Sequence, residues 1–164
     1  MSFNVKDSYD STVDFNLVAG NKYLHFDDIS FLQVVKRQVA LIAEECKELQ
    51  EAVAVEDWTE VADAVCDIRV VSDWLQELLY QAGFDMESAM EAIAENNMSK
   101  LFKTYSEALE TKEYYEEEKN LSVYIESKFY KGKDWFVVKN AETGKILKPK
   151  GFVSVDLTKF VPEV

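Results

Sequence analysis

Two clusters of acidic residues, separated by a short segment of the sequence, together form a candidate site for a divalent cation. The first cluster is Glu44, Glu45 and Glu48, in which Glu48 follows the other two by four and three residues. The second is Glu60, Asp63 and Asp67, spaced by three and four. In a helix this spacing places side chains on one face, where like-charged pairs cost about 0.2–0.5 kcal/mol each. Both clusters also border apolar stripes, and partial desolvation increases that cost. A cation bound between two such helices would reverse the balance.

Magnesium suits such a site because it is a hard ion that takes carboxylate oxygens and keeps waters and substrate phosphates as its other ligands. Mn²⁺ is a possible substitute, and four or more carboxylates could hold two ions. The competing interpretation is that the acids form solvated helix faces in a strongly acidic chain. A di-iron bundle is disfavoured because that class uses Glu-x-x-His motifs, whereas the single histidine, His25, lies outside both clusters and is expected in a loop.

Long helices are expected to position these acids. Apolar periodicity predicts four of them, at about Tyr9 to Ala19, Asp28 to Val55, Asp57 to Gly83, and Asp85 to Phe102. Asp57 is a good N-cap for the third, and Gly83 suits the position after its end. Because the connections are short, the prediction is an all-α core built as an antiparallel bundle of about four helices.

A change of periodicity marks the C-terminal part of the chain. The charge-rich run 107–119 is interpreted either as an extension of the last helix or as the start of a linker. Beyond it, alternating segments at 122–130 and 135–139, a turn at 140–144 and a short segment at 145–147 predict a small β-meander. We therefore expect a helical domain over residues 1–120, with residues 121–164 as an extension of the same domain.

Composition limits the possible classes of function. A chain of 164 residues with 48% hydrophobic residues, five glycines and two prolines is expected to form one globular domain. Its net charge of −13 repels nucleic acid and anionic membranes unless a local basic patch compensates, so neither is expected as a partner. With no apolar run of about 20 residues, no leader pattern and two cysteines in helical segments, we expect a cytoplasmic protein with reduced thiols.

The order of the acidic motifs carries a resemblance to a known family. The segment Leu41–Leu49, followed by Glu60–Asp63, resembles the Glu-Glu-x-x-Glu … Glu-x-x-Asp signature of the all-α nucleoside triphosphate pyrophosphohydrolases, the MazG-like and dimeric dUTPase relatives. Three further blocks resemble bacteriophage-encoded members, namely Val13–Gly20 (Phe-Asn … Gly), Asn97–Leu101 (Asn-Met-Ser-Lys) and Asn140–Pro149 (Gly-Lys-x-x-Lys-Pro). Together the blocks run over about 140 residues.

The resemblance implies a Mg²⁺-dependent enzyme of nucleotide-pool control that hydrolyses a nucleoside triphosphate to the monophosphate and pyrophosphate. Glu45 and Glu48 would be the principal metal ligands, and Glu44 would ligate or orient the attacking water. On the second helix, Glu60-x-x-Asp63 satisfies the motif spacing, whereas Asp67 lies closer to the family's usual separation from the downstream asparagine block. Asp63 and Asp67 are therefore both retained, ahead of Glu60.

The resemblance also implies residues that bind the substrate and a mode of assembly. Lys100 and Lys36 would contact phosphate oxygens, and Asn97 and Asn16 would hydrogen-bond to phosphate, sugar or base. Aromatic residues that could stack on a base are Phe15, Phe31 and Trp58. The resemblance does not specify which base the substrate carries. The related families assemble as dimers or tetramers, so a homodimer or homotetramer is expected, in the host cytoplasm if the protein is phage-encoded.

Two readings without catalysis compete with the enzyme. One is an acidic phage-type protein that mimics DNA, which the net charge of −13 favours. The other is a helical interaction module. Against mimicry, the sharpest acidic clusters border apolar stripes, and the C-terminal part is locally basic, with seven lysines between residues 128 and 150. Stabilisation by Mg²⁺ in a thermal melt would separate the metal enzyme from both.

Overall fold

The computed structural model describes residues 5–163 and is mostly helical, with a two-stranded antiparallel sheet in its C-terminal part. The elements of these residues are α1 (Val5–Val18), α2 (Phe31–Ala54), α3 (Trp58–Gln81), α4 (Met86–Met98), α5 (Tyr105–Glu117), β1 (Val123–Tyr130), β2 (Lys133–Asn140) and a 3₁₀ helix (Thr158–Phe160). The predicted helical core and C-terminal sheet are confirmed. The four-helix antiparallel bundle stays a prediction. No helix in the described range is long and apolar enough to cross a membrane.

The chain divides into two compact units, each described by itself. The first contains the described residues up to Met86 and the segment from Lys159 onward, and the second is Glu87–Thr158. The first unit therefore holds α1, α2 and α3, and the second holds nearly all of α4, together with α5 and the sheet. This division falls at the start of α4, whereas the sequence suggested a change of structure near residue 120.

A short connection folds α3 back along α2 in the first unit. Glu56 has a φ of 56°, in the left-handed region, and Asp57 then caps α3. The Asp57 carboxylate oxygen Oδ1 accepts hydrogen bonds from the backbone nitrogens of Thr59 (3.1 Å) and Glu60 (3.2 Å). The predicted N-cap is confirmed, and the cap fixes where the second acidic cluster begins relative to the first.

The first unit encloses a small core centred on α3. Trp74 and Leu78 are almost completely buried, whereas Trp58 and Val65, in the N-terminal half of the helix, are 69% and 51% exposed. The core of α3 is therefore nearer its C-terminal end than the periodicity indicated. In the N-terminal half of α3 only Ala64 is buried.

Several helix ends differ from the prediction for identifiable local reasons. Helix α2 begins at Phe31 rather than Asp28, because Asp28 Oδ1 accepts the backbone N–H of Ser30 (2.7 Å) in a turn outside the helix. The charged run after residue 106 belongs to a separate helix, α5. Thr104 and Glu107 form a reciprocal capping box at its start, a signature in the sequence that the prediction overlooked.

A β-hairpin and α5 form the core of the second unit. Lys131 and Gly132 both have positive φ angles (49° and 78°), as a two-residue hairpin turn between twisted strands requires. One sheet face packs in a cluster formed by Phe102, Ala108, Val123 and Val138. The predicted third strand is reduced to a single bridge between Lys139 and Ile146, so a hairpin replaces the meander.

Candidate metal site on α2 and α3

Glu45 is the residue on which the two acidic clusters converge. Its carboxylate oxygen Oε2 is out of contact with solvent and has no hydrogen-bond partner in the described part of the chain. Burial raises the pKa of Glu45, and the negative charges of Glu48, Asp67, Glu44 and Asp63 raise it further, in that order. The packing of α3 along α2 thus brings acids from both helices into one region of negative potential around Glu45.

Glu60 stands apart from this group. It lies in the first turn of α3, is exposed, and is absent from the charges that raise the pKa of Glu45. The positive end of the helix dipole favours an acid at that position for reasons of helix stability alone. Of the two aspartates, Asp67 acts on Glu45 more strongly than Asp63 does.

The described side chains do not form a closed coordination shell. Within residues 5–163, no group of three or more His, Cys, Asp or Glu side chains has the geometry to hold a metal ion. Glu44 and Glu48 are exposed and Asp67 is partly buried. The chemistry of the donors is nevertheless that of a hard-cation site, because Glu45 and the four acids that raise its pKa are all carboxylates.

The two candidate substrate residues of the first unit have different surroundings. Asn16 is buried, its Nδ2 donates to the Thr12 carbonyl oxygen (2.9 Å), and its Oδ1 accepts from Asn21 Nδ2 (2.9 Å). Its amide therefore joins the end of α1 to the loop that follows. Lys36 is exposed on α2, and no ion pair involves it in the described structure.

The other two candidates, Asn97 and Lys100, lie in the second unit. Lys100 Nζ donates a hydrogen bond of 2.6 Å to Asn97 Oδ1. Asn97 is exposed near the end of α4, and Lys100 follows that helix. The amide group of Asn97 and the ammonium group of Lys100 are thus neighbours, and their contact with a substrate stays a prediction.

A cleft of about 870 Å³ runs beside the acidic face of α3. Its lining includes Asp67 together with the apolar side chains of Phe15, Val65 and Val70. Phe15 is 68% exposed there, as an aromatic available to a ligand is expected to be. By contrast, Phe31 is buried and packs edge-on against Phe26, with ring centroids 5.7 Å apart, so it belongs to the core. Trp58 is exposed at the start of α3.

Two buried acids farther along α3, Asp73 and Glu77, were not among the predicted functional residues. Arg69 Nε bonds both carboxylate oxygens of Asp73 (2.7 and 2.6 Å). Glu77 accepts from Tyr9 Oη (2.8 Å) and from Gln81 Nε2 (2.8 Å). The spacing of four residues between Arg69 and Asp73, and between Glu77 and Gln81, was the available signal. Both acids are thus engaged in structural contacts.

Comparison with known proteins gives one similar sequence. No family model and no solved structure matches the chain. An uncharacterized protein of Acanthamoeba polyphaga mimivirus is 31% identical over 121 residues, which cover 73% of this chain and 47% of that protein. The chain thus spans about half the length of the curated relative it matches.

Proposed function

We propose that this protein is a Mg²⁺-dependent nucleoside triphosphate pyrophosphohydrolase that yields the nucleoside monophosphate and pyrophosphate. The observation that carries the proposal is the environment of Glu45. An unpartnered, desolvated carboxylate oxygen surrounded by four further carboxylates from two helices is unfavourable unless a cation binds there.

Magnesium fits the donor set better than a softer ion. Carboxylate oxygens are its preferred protein ligands, and it retains open positions for phosphate oxygens. The free cysteines Cys46 and Cys66 are neighbours of Glu45 and Asp67 in sequence, but neither is among the groups that raise the Glu45 pKa. When bound, the ion neutralises phosphate charge and acidifies water.

The residues of the two helices then have separate roles. Glu45 and Glu48 bind the ion from α2, and Asp67, with Asp63 as the other candidate, binds it from α3. Glu44 either joins them or accepts a proton from the water that attacks the α-phosphate. Lys36, Asn97 and Lys100 stay candidates for contacts with phosphate, sugar or base, and Phe15 in the cleft is a candidate to stack on the base.

A homo-oligomer is part of the same proposal. Large apolar side chains on α1, α2 and α3 are more than half exposed, among them Phe15, Val18, Leu32, Val39, Val53, Trp58 and Val65. Exposed apolar surface of this extent is typical of an interaction site. A second copy of the chain would cover it, and a dimer or a tetramer satisfies this requirement.

The same exposed surface also favours the competing candidate, a helical interaction module without catalysis. A panel of ribonucleoside and deoxyribonucleoside triphosphates, incubated with the protein and Mg²⁺, separates the two. The enzyme predicts turnover of at least one triphosphate, its loss in EDTA, and a higher melting temperature at millimolar Mg²⁺. Absence of turnover across the panel, together with a melting temperature indifferent to Mg²⁺, would favour the interaction module.

A further inference from the structure

The outer face of the hairpin carries aromatic and basic side chains side by side. The register pairs Lys128 with Trp135 and Tyr130 with Lys133. Because cross-strand partners project from the same sheet face, these four side chains lie on one side. The core residues Val123 and Val138 project from the opposite face of the hairpin. The face with Lys128, Tyr130, Lys133 and Trp135 is therefore turned away from the core of the second unit.

A groove of about 600 Å³ lies on this face. Tyr130 and Trp135 line it together with Met98 and Leu101 from the end of α4 and the segment after it. The volume lies in the range of small-ligand pockets, which is about 300–1,000 Å³. Tyr130 is 58% exposed. The Lys131 ammonium lies over one face of its ring, 5.4 Å from the centroid, which leaves the other face for stacking.

Three lysines, Lys128, Lys131 and Lys133, edge the groove, and none of them forms an ion pair in the described structure. The carboxylate of Glu126 is paired with Lys139, which lowers the pKa of Glu126, and the charge of Lys128 lowers that pKa slightly further. The charge of this region contrasts with that of the whole chain. Residues 121–150 contain seven lysines and three acids, whereas the complete chain has a net charge of −13. This is the local basic patch that an otherwise acidic protein needs before it can bind a polyanion.

We propose that this hairpin face, formed by Lys128, Tyr130, Lys131, Lys133 and Trp135, binds single-stranded nucleic acid. Aromatic rings that stack on unpaired bases, beside lysines that contact the phosphates, are how single strands are bound without sequence preference. The lysines stand on both strands of the hairpin and in its turn, on either side of the two rings. That arrangement suits a chain of phosphates better than a single one.

An acidic segment of a second copy is the alternative occupant. It accounts for the lysines, but it supplies no planar groups to match the adjacent Tyr130 and Trp135 rings. A duplex would match the lysines alone, because its bases are already stacked. The combination of lysines with an exposed Tyr130 ring beside a half-buried Trp135 therefore favours the single strand.

The test is fluorescence anisotropy of a labelled single-stranded oligothymidylate of about 15 nucleotides, titrated with the full-length protein in EDTA. EDTA suppresses any metal-dependent turnover, so the result does not depend on the proposed enzyme activity. We expect a Kd on the order of 10⁻⁵–10⁻⁴ M at low salt. On a single strand, each phosphate that a lysine neutralises contributes about −0.7 to the slope of log K against log salt concentration, so three lysines predict a slope of about −2.

Variants give the result its specificity. The Lys128→Glu/Lys133→Glu double variant should weaken binding at least tenfold and reduce the salt slope to about −0.7, because one lysine remains. Tyr130→Ala should weaken binding about fivefold or more through lost stacking, with the salt slope retained. The matched control is Lys103→Glu/Lys145→Glu, which makes the same change of charge in the same unit but does not alter the groove lining.

Three outcomes would overturn the proposal: no binding at low salt, equal loss in the control variant, or a duplex bound as tightly as the single strand. Sedimentation velocity identifies the alternative. If Lys128→Glu/Lys133→Glu dissociates an oligomer and the native protein does not bind the oligonucleotide, the face is a contact between copies. Thermal melts of each variant establish that the second unit remains folded.

Discussion

Asp67 on α3 raises the pKa of Glu45 on α2 across the contact between the two helices. After burial and the charge of Glu48, the charge of Asp67 makes the next largest contribution to raising the pKa of Glu45. Two helices that pack along each other thus hold carboxylates where their ionised forms are mutually unfavourable. A protein that keeps such a pair without a cation loses stability, which gives the first prediction.

Glu45→Gln should stabilise the metal-free protein. The folded-state pKa of Glu45 is raised above its usual value of 4.5, so the folded state holds the proton more tightly than the unfolded state. The stabilisation of the folded state by this tighter proton binding is fully present below pH 4.5. It is lost as the pH rises through the folded-state pKa of Glu45. In EDTA the variant should melt about 1–2 °C above the native protein at pH 7, and the difference should vanish near pH 4. A variant that melts lower at pH 7 would contradict this electrostatic account.

Mg²⁺ should reverse the order of these two proteins. At about 100 times its Kd, a ligand that binds only the folded state stabilises it by about 2.7 kcal/mol. The native melting temperature should therefore rise by several degrees in millimolar Mg²⁺, while that of Glu45→Gln stays nearly constant. Equal shifts in both proteins would place any Mg²⁺ site elsewhere.

The choice between Asp63 and Asp67 is tested by replacing each with asparagine, which keeps the size and removes the charge. Because Asp67 acts on Glu45 more strongly, Asp67→Asn should reduce kcat about 100-fold or more, as should Glu48→Gln, with the helical circular dichroism unchanged. Asp63→Asn should have a smaller effect. Glu113→Gln, an exposed charge change on α5, is the control and should retain full activity. The opposite order for the aspartates would make Asp63 the ligand.

The contact between Tyr9 and Glu77 should stabilise the packing of α1 on α3. Tyr9→Phe removes a 2.8 Å hydrogen bond to a buried carboxylate, at a cost of about 1–2 kcal/mol at pH 7. Burial and then the hydrogen bond to Glu77 raise the pKa of Tyr9 above its usual value of 10.0. The stabilisation is therefore complete below pH 10 and declines above it, so the difference between variant and native protein should shrink there. Chemical denaturation at several pH values measures this, with exposed Tyr80→Phe as the control.

The local elements were predictable from sequence to the extent that they depend on neighbouring residues. The Asp57 cap, the stop of α1 near Gly20 and the paired strands follow from residue type and spacing. The start of α2 was misplaced because Asp28 bonds Ser30 instead of capping the helix. The central position of Glu45 among the acids could not be predicted from the sequence, because it depends on how α3 packs along α2. Which side chains share the outer face of the hairpin also depends on the register between β1 and β2, and the sequence of one strand alone does not determine that register.

Val138→Asp tests the prediction that the chain folds as one domain. This side chain is fully buried between the hairpin and α5, so an unpaired charge there should cost at least about 3 kcal/mol. A one-domain chain should then show a single thermal transition at a lower temperature. Val153→Asp, which alters a side chain 78% exposed in the same unit, should melt like the native protein. Alternatively, Val138→Asp could remove or lower one thermal transition while another stays at its native temperature. That result would show that the two units fold independently.

The position of the broken bond tests the central claim most directly. Phosphorus NMR of a pyrophosphatase-free reaction, with the protein, Mg²⁺ and the best triphosphate of the panel, distinguishes the possible products. We expect a nucleoside monophosphate and intact pyrophosphate in equal amounts. EDTA should abolish their formation, and Glu48→Gln should slow it about 100-fold or more. Orthophosphate with accumulating nucleoside diphosphate, or turnover that persists in excess EDTA, would contradict the central claim.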